Sequence, residues 1–171
     1  MTVESRVTNI NVTATVILAT LMIVSTTHSL SNPALGQGPP TIVINLTGDE
    51  EVPPVQTEAT GVAEIIPIGP DTIAYSVNAT NIEGATAGHV HLGKEGENGP
   101  VVVTLFKYDS PTNQVAENGT ITADKLEGPM AGKQISDLVT AGANGTLYIN
   151  IHTEQNPNGE NRGQGGNPTA Q

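Results

Sequence analysis

From residue 41 to residue 152 the chain is built from short runs of six to eight residues, most alternating apolar with polar, and Gly, Pro, Asn or Asp separates one run from the next. A period of two is the signature of a half-buried strand, whereas a helix needs apolar residues every three or four positions. In Thr41–Leu46, Ile42, Ile44 and Leu46 share one face. Gly61–Ile68 and Thr72–Ala79 flank Gly69-Pro70-Asp71 and read as a hairpin. In the second of these, Ile73, Tyr75, Val77 and Ala79 alternate with Thr72, Ala74, Ser76 and Asn78. Ala87–Leu92, Asn118–Ala123 and Thr146–His152 are further strands, and the continuous apolar run Val101–Phe106 suits a doubly buried or central strand. One or two helical turns are expected at Ile135–Thr140, where Ile135, Leu138 and Val139 have helical spacing and Gly142 offers a stop. Pro53-Pro54 makes Thr47–Glu58 a loop. The pattern predicts an all-β fold, an antiparallel β-sandwich or barrel with one short helix.

The rest of the chain bounds where such a fold works. Ahead of the Pro- and Gly-rich linker Ser31–Pro40, Val12–Val24 is apolar except for threonines. It is shorter than the ~20 residues a bilayer span needs, and fits the core of a secretory signal. Ala34-Leu35-Gly36 offers a small-residue cleavage site, so residues 1–36 are expected to be a signal peptide or signal anchor plus linker. Residues 37–164 form the expected domain. From Gly163 the run GQGGNPTAQ has nothing to bury, and residues 165–171 are expected to be a disordered tail. The chain contains no cysteine, so neither disulfides nor thiolate ligands are available. Net charge is −11, with no basic run, which excludes nucleic acid and anionic membrane surfaces as partners. Membrane contact is expected only through an uncleaved N-terminal segment. Asn45, Asn78, Asn118 and Asn144 each open an Asn-x-Thr acceptor pattern for N-glycosylation, with Asn45 and Asn78 on the outward faces of their strands.

Chemistry is concentrated in the histidines. His89 and His91 are two positions apart on a strand, so both side chains leave the same face while Val90 and Leu92 leave the other. Leu147, Ile149 and Ile151 form the apolar face of Thr146–His152, which puts Tyr148, Asn150 and His152 opposite. If the two strands pair, His89, His91 and His152 meet as a site for copper or zinc. Half-buried imidazoles tying strand ends to glycine-rich loops are the competing reading. Glu160 and Arg162, with Asn150, are the residues expected around the trio. Glu160 and Arg162 either orient a ligand histidine and draw in an anion, or clamp the Asn156–Gly159 turn. Asp49-Glu50-Glu51 fits no calcium loop and reads as a solvated turn, and Lys94 and Glu95 read as exposed. No Gly-x-Ser-x-Gly nucleophile elbow is present, so no catalytic residue is assigned.

Six segments, in order, carry a resemblance. They are Gly48–Pro54 (GDEEVPP), Thr60–Ala63 (TGVA), Ala87–Gly93 (AGHVHLG), Asn98–Val103 (NGPVVV), Leu147–Thr153 (LYINIHT) and Asn156–Gln164 (NPNGENRGQ). Together they resemble the chordin-domain (CHRD) family over about residues 42–164. The resemblance implies an extracellular immunoglobulin-like β-sandwich. It implies little about activity, although in animals the domain belongs to a growth-factor antagonist. A more distant likeness is to copper–zinc superoxide dismutase, which also has an HVH strand, a late histidine and a nearby arginine. It implies that His89, His91, His152 and Arg162 hold analogous positions. Two departures matter. The only other histidine, His28, lies in the leader, so a fourth copper ligand, the zinc-site histidines and the disulfide are all missing. In addition, Asn161 stands where the chordin-domain pattern has an apolar residue, so the closing strand is expected to be short or absent, with an open edge.

These readings give an exported, secreted or cell-surface module that meets an extracellular protein or cell-envelope component and carries a mononuclear His₃ site. The alternatives are a copper-dependent redox or copper-storage protein of superoxide-dismutase-like fold, and a glycosylated cell-envelope adhesin.

Overall fold

Eight antiparallel strands account for the alternating runs: β1 (Ile42–Thr47), β2 (Thr60–Pro67), β3 (Ile73–Thr80), β4 (Ala85–Leu92), β5 (Val101–Thr112), β6 (Val115–Ile121), β7 (Leu147–Thr153) and β8 (Asn161–Gly165). One helix, α1 (Ile135–Ala143), precedes β7. The computed structural model describes residues 40–166; the expected leader and residues 167–171 of the expected tail lie outside the described residues. Hydrogen bonding joins the strands in the order β5-β4-β7-β8-β1-β2-β3-β6. The sheet is an antiparallel sandwich close to a barrel. Its two halves meet at a single β1–β8 rung, Thr47 opposite Arg162. The two end strands, β5 and β6, are consecutive in the chain and joined by Asn113-Gln114. The inward faces share one core, with Leu46, Ile73, Val77, Val90, Val103, Ile121, Leu138 and Ile151 all buried. Tyr75 on β3 donates its hydroxyl proton to the Leu105 carbonyl on β5, fastening the two ends of the sheet across that core. No described helix is long and apolar enough to cross a membrane.

The expected β2–β3 hairpin forms in full register, from Thr60 opposite Thr80 to Pro67 opposite Ile73. Three expectations are corrected. The apolar run Val101–Phe106 is not a central strand: it opens β5, which stands at one end of the hydrogen-bonded order. Its continuous burial has a local cause. On β4, His89 pairs with Thr104 and Gly88 with Phe106, so Leu105 is an extra residue, and Val102 is skipped in the same way between His91–Val101 and Val90–Val103. Each bulge turns two successive side chains inward, which is why Val102 and Val103, and Leu105 and Phe106, are all buried.

Secondly, α1 runs through Gly142 to Ala143, and its stop is Gly145 in the left-handed region at φ 66°, after Asn144. At its start the Gln134 N–H donates to Asp137 Oδ2 at 2.9 Å, closing the first turn. Thirdly, the closing strand is short, as one of the two readings had it, and it is not absent. β8 pairs with β7 over five positions, from Ile151–Asn161 to Leu147–Gly165, so the expected open edge is closed and Gly165 belongs to the sheet. Glycine is what allows this: a side chain at Gly163 would strike the Asn45 carbonyl and Leu46 of β1.

Candidate metal centre

The β4–β7 ladder decides where the histidines go. Its register sets His89 opposite Asn150, His91 opposite Tyr148 and Ala87 opposite His152. His152 is thus diagonal to His89 on the same face, and the three rings gather. Ring centroids are 4.8 Å apart for His89–His152, 5.7 Å for His89–His91 and 5.9 Å for His91–His152. One nitrogen from each imidazole lies within 4.8 Å of the other two.

Two of the rings are anchored from behind. His91 Nδ1 faces the Gly99 carbonyl at 2.8 Å and His152 Nδ1 faces the Pro157 carbonyl at 2.9 Å. A carbonyl only accepts, so each Nδ1 carries the proton and each Nε2 keeps its lone pair. His91 Nε2, His152 Nε2 and His89 Nδ1 are all buried with no hydrogen-bond partner. Buried polar atoms are rarely left unpaired, and three together on one face form a donor set that fits a metal. Burial, helped by the neighbouring His152 and His91 rings, lowers the His89 pKa to about 4. His91 and His152 are also shifted down by burial, against the pull of their carbonyl partners. All three imidazoles are therefore neutral at pH 7, as metal ligation requires. Nδ1 of His91 and of His152 ties a loop, and Nε2 of each is without a hydrogen-bond partner.

Around the trio the expected residues are placed as follows. Arg162 is 1% exposed. Its guanidinium donates to the Lys94 carbonyl (3.0 Å), the Glu97 carbonyl (3.1 Å), Asn98 Oδ1 (3.4 Å) and Gln164 Oε1 (3.0 Å). It holds the Gly93–Gly99 loop, whose Gly99 carbonyl in turn orients His91, while the side chains of Lys94 and Glu95 are exposed as read. Glu160 is buried too, but its carboxylate accepts from Thr57, Asn156 and Thr153 Oγ1 (3.0 Å), bracing the Thr153–Glu160 turn. These contacts are those of the turn clamp, and the acceptors facing His91 and His152 are the backbone carbonyls of Gly99 and Pro157. Asn150 is fully buried beside His89, donating to the Asn158 carbonyl at 3.4 Å. Asn45, Asn78, Asn118 and Asn144 are all exposed, with Asn45 and Asn78 flanking Val62 in register on the outer face.

Two site residues were not read from the sequence. The Tyr148 ring stacks on His91 at 4.7 Å and 9°, and Arg162 Cζ lies 3.5 Å from its centroid. Its hydroxyl accepts from Gly99 N at 3.1 Å. Alternation had already put Tyr148 on the histidine face, and that was the available signal. Glu51, read as part of a solvated turn, is 5% exposed, while Asp49 and Glu50 remain in solvent. Burial raises its pKa to about 7 although Arg162 pulls it down. Gly159, at φ 139°, gives it room: a side chain there would collide with the Glu51 carboxylate. The GDEEVPP segment carried no alternation from which that burial could be read.

A family model described as CHRD domain matches residues 42–164. The chain belongs to the CHRD-domain family. No curated protein and no solved structure matches it. The matched span of this CHRD domain opens at β1 and ends within β8, taking in every histidine of the trio and all the residues that surround it.

Proposed function

We propose that this CHRD domain is an exported module that holds one copper ion through His89 Nδ1, His91 Nε2 and His152 Nε2. The observation that carries the reading is that the three histidines each bring one ring nitrogen within 4.8 Å of the others, and each has a buried ring nitrogen without a hydrogen-bond partner. Neutral imidazole donors suit both copper and zinc, and the divalent affinity order favours Cu(II). Three protein ligands leave a coordination position open, so bound copper would supply Lewis-acid or one-electron chemistry there. Arg162 and Tyr148 keep His91 in place, and the Gly99 and Pro157 carbonyls fix which nitrogen faces the ion. The chain has no further histidine in the domain, which favours copper holding or delivery over dismutase turnover.

Export is supported by the apolar Val12–Val24 run and four exposed Asn-x-Thr asparagines. The working environment is then the cell surface or the medium, and the partner an extracellular protein or envelope component.

Calorimetric titration of metal-free protein tests the site. One Cu(II) per chain is expected, held more tightly than Zn(II), with nitrogen hyperfine structure in the copper EPR spectrum. His152→Ala should weaken binding by about 100-fold or more. Equal, weak heats for wild type and a His89/His91/His152 triple alanine variant would end the proposal. N-terminal sequencing of protein recovered from the medium is expected to begin near Gln37.

A further inference from the structure

A second feature lies away from the histidines, between α1 and the end of the sandwich. A cavity of about 260 Å³ opens there, with Ile42, Ile44 and Ile73 on the sheet side and Leu138, Val139 and Gly142 on the helix side. No charged side chain is among the residues lining it. Protein interiors are close-packed, with few voids larger than a water molecule. Water gains little in this space, because a buried water needs two to four polar partners. The cavity reaches the surface, since Pro40, Val139 and Gly166 line it and all three are exposed, Val139 by 44%. The helix packs on the sheet through Ile135 and Leu138 but leaves room at Gly142, where an added Cβ would meet only Leu147 Cδ1, at 3.6 Å, an ordinary contact.

We infer that this cavity is a binding site for a free, unbranched aliphatic molecule. An apolar cavity of about 150 Å³ accepts benzene, which scales to roughly ten non-hydrogen atoms for this one. That is one medium-length chain and too little for both tails of a membrane lipid. The walls are almost wholly apolar, so the apolar chain goes in and any hydroxyl or carboxyl stays at the Val139 mouth. The inference does not depend on copper, because none of the three histidines lines the cavity; Tyr148, which stacks on His91, is the one residue the two places share.

The probe is 1-decanol, followed by methyl NMR on the metal-free protein. Saturable shifts are expected at Ile42, Ile44, Ile73 and Leu138, with the His89 and His152 imidazole resonances unmoved. The 1,10-diol of the same length must bury a hydroxyl and should bind about tenfold or more weakly, the effect of ~1.4 kcal/mol. Gly142→Leu puts a side chain into the space at a helical position that favours it, and should weaken decanol by about tenfold or more without lowering the melting temperature. Phosphatidylcholine vesicles should not pull the protein down. Shifts absent or spread over the surface, a diol that binds as well as decanol, or undiminished binding by folded Gly142→Leu would each overturn the inference. So would sedimentation with vesicles in the absence of decanol shifts. If Gly142→Leu does not fold, the wild-type shift map and the diol comparison still decide.

Discussion

Glu51 and Arg162 show how much of this molecule's chemistry is invested in buried polar side chains. The Glu51 carboxyl titrates at about 7 in the fold against 4.5 for the ordinary group, chiefly because burial penalises its charged form. Between those values the folded state binds more protons than the unfolded one. The contribution of Glu51 is therefore fully favourable below pH 4.5 and is lost as pH rises through 7. Glu51→Gln should raise the urea midpoint at pH 8, by a stability gain of about 1–3 kcal/mol, and change little at pH 4.5. A variant equally or less stable than wild type at pH 8 would show that the Arg162 attraction outweighs burial. Arg162 makes four hydrogen bonds to the Gly93–Gly99 loop and Gln164 while lying on Tyr148. Lysine has neither the planar fork nor the stacking surface. Arg162→Lys should cost about 2 kcal/mol and speed tryptic cleavage after Lys94, read by urea unfolding and mass spectrometry. Unchanged cleavage would show that Arg162 does not restrain that loop.

Among the elements, legibility followed alternation. β1, β2 and β3 could be read because one face is buried and the other is more open; β7 is buried on both faces, and its histidine face was legible only because Leu147, Ile149 and Ile151 alternate with Tyr148, Asn150 and His152 in the sequence. β8 could not, since its sequence, NRGQG, contains no apolar side chain. It is buried nonetheless, because Gly163 fits against β1 and Arg162 and Gln164 spend their polar atoms on neighbouring backbone. The bulges in β5 hid its edge position in a similar way, by making an edge strand look continuously apolar. Asn161 is the weak point of β8. It is fully buried opposite Ile151, and neither Nδ2 nor Oδ1 has a partner. Leaving a buried amide unpaired costs on the order of 1–3 kcal/mol, so Asn161→Val should stabilise the domain by about 1 kcal/mol or more. A lower urea midpoint for that variant would mean the amide is satisfied by water after all.

Across the whole molecule, the proposed centre exists only when distant parts of the chain meet. His91 and His152 come from different strands, and their orienting carbonyls, Gly99 and Pro157, come from two separate loops. An unfolded chain keeps only the His89–His91 pair close in sequence, so copper should bind the folded state far better than the unfolded one. A ligand with that preference stabilises by mass action, by about 2.7 kcal/mol at one hundred times its dissociation constant. Copper at that excess should therefore raise the stability of the wild type by about that amount, less whatever the unfolded chain recovers through its own histidines. His152→Ala should abolish most of the gain at the same copper concentration. The Gly142→Leu variant, altered beneath α1, should retain it, because no histidine lines the cavity and Tyr148 is the one residue it shares with the site. Equal copper stabilisation of wild type and His152→Ala would mean that the metal is held by the local His89–His91 pair or by the acidic surface, and that the third strand-borne ring takes no part.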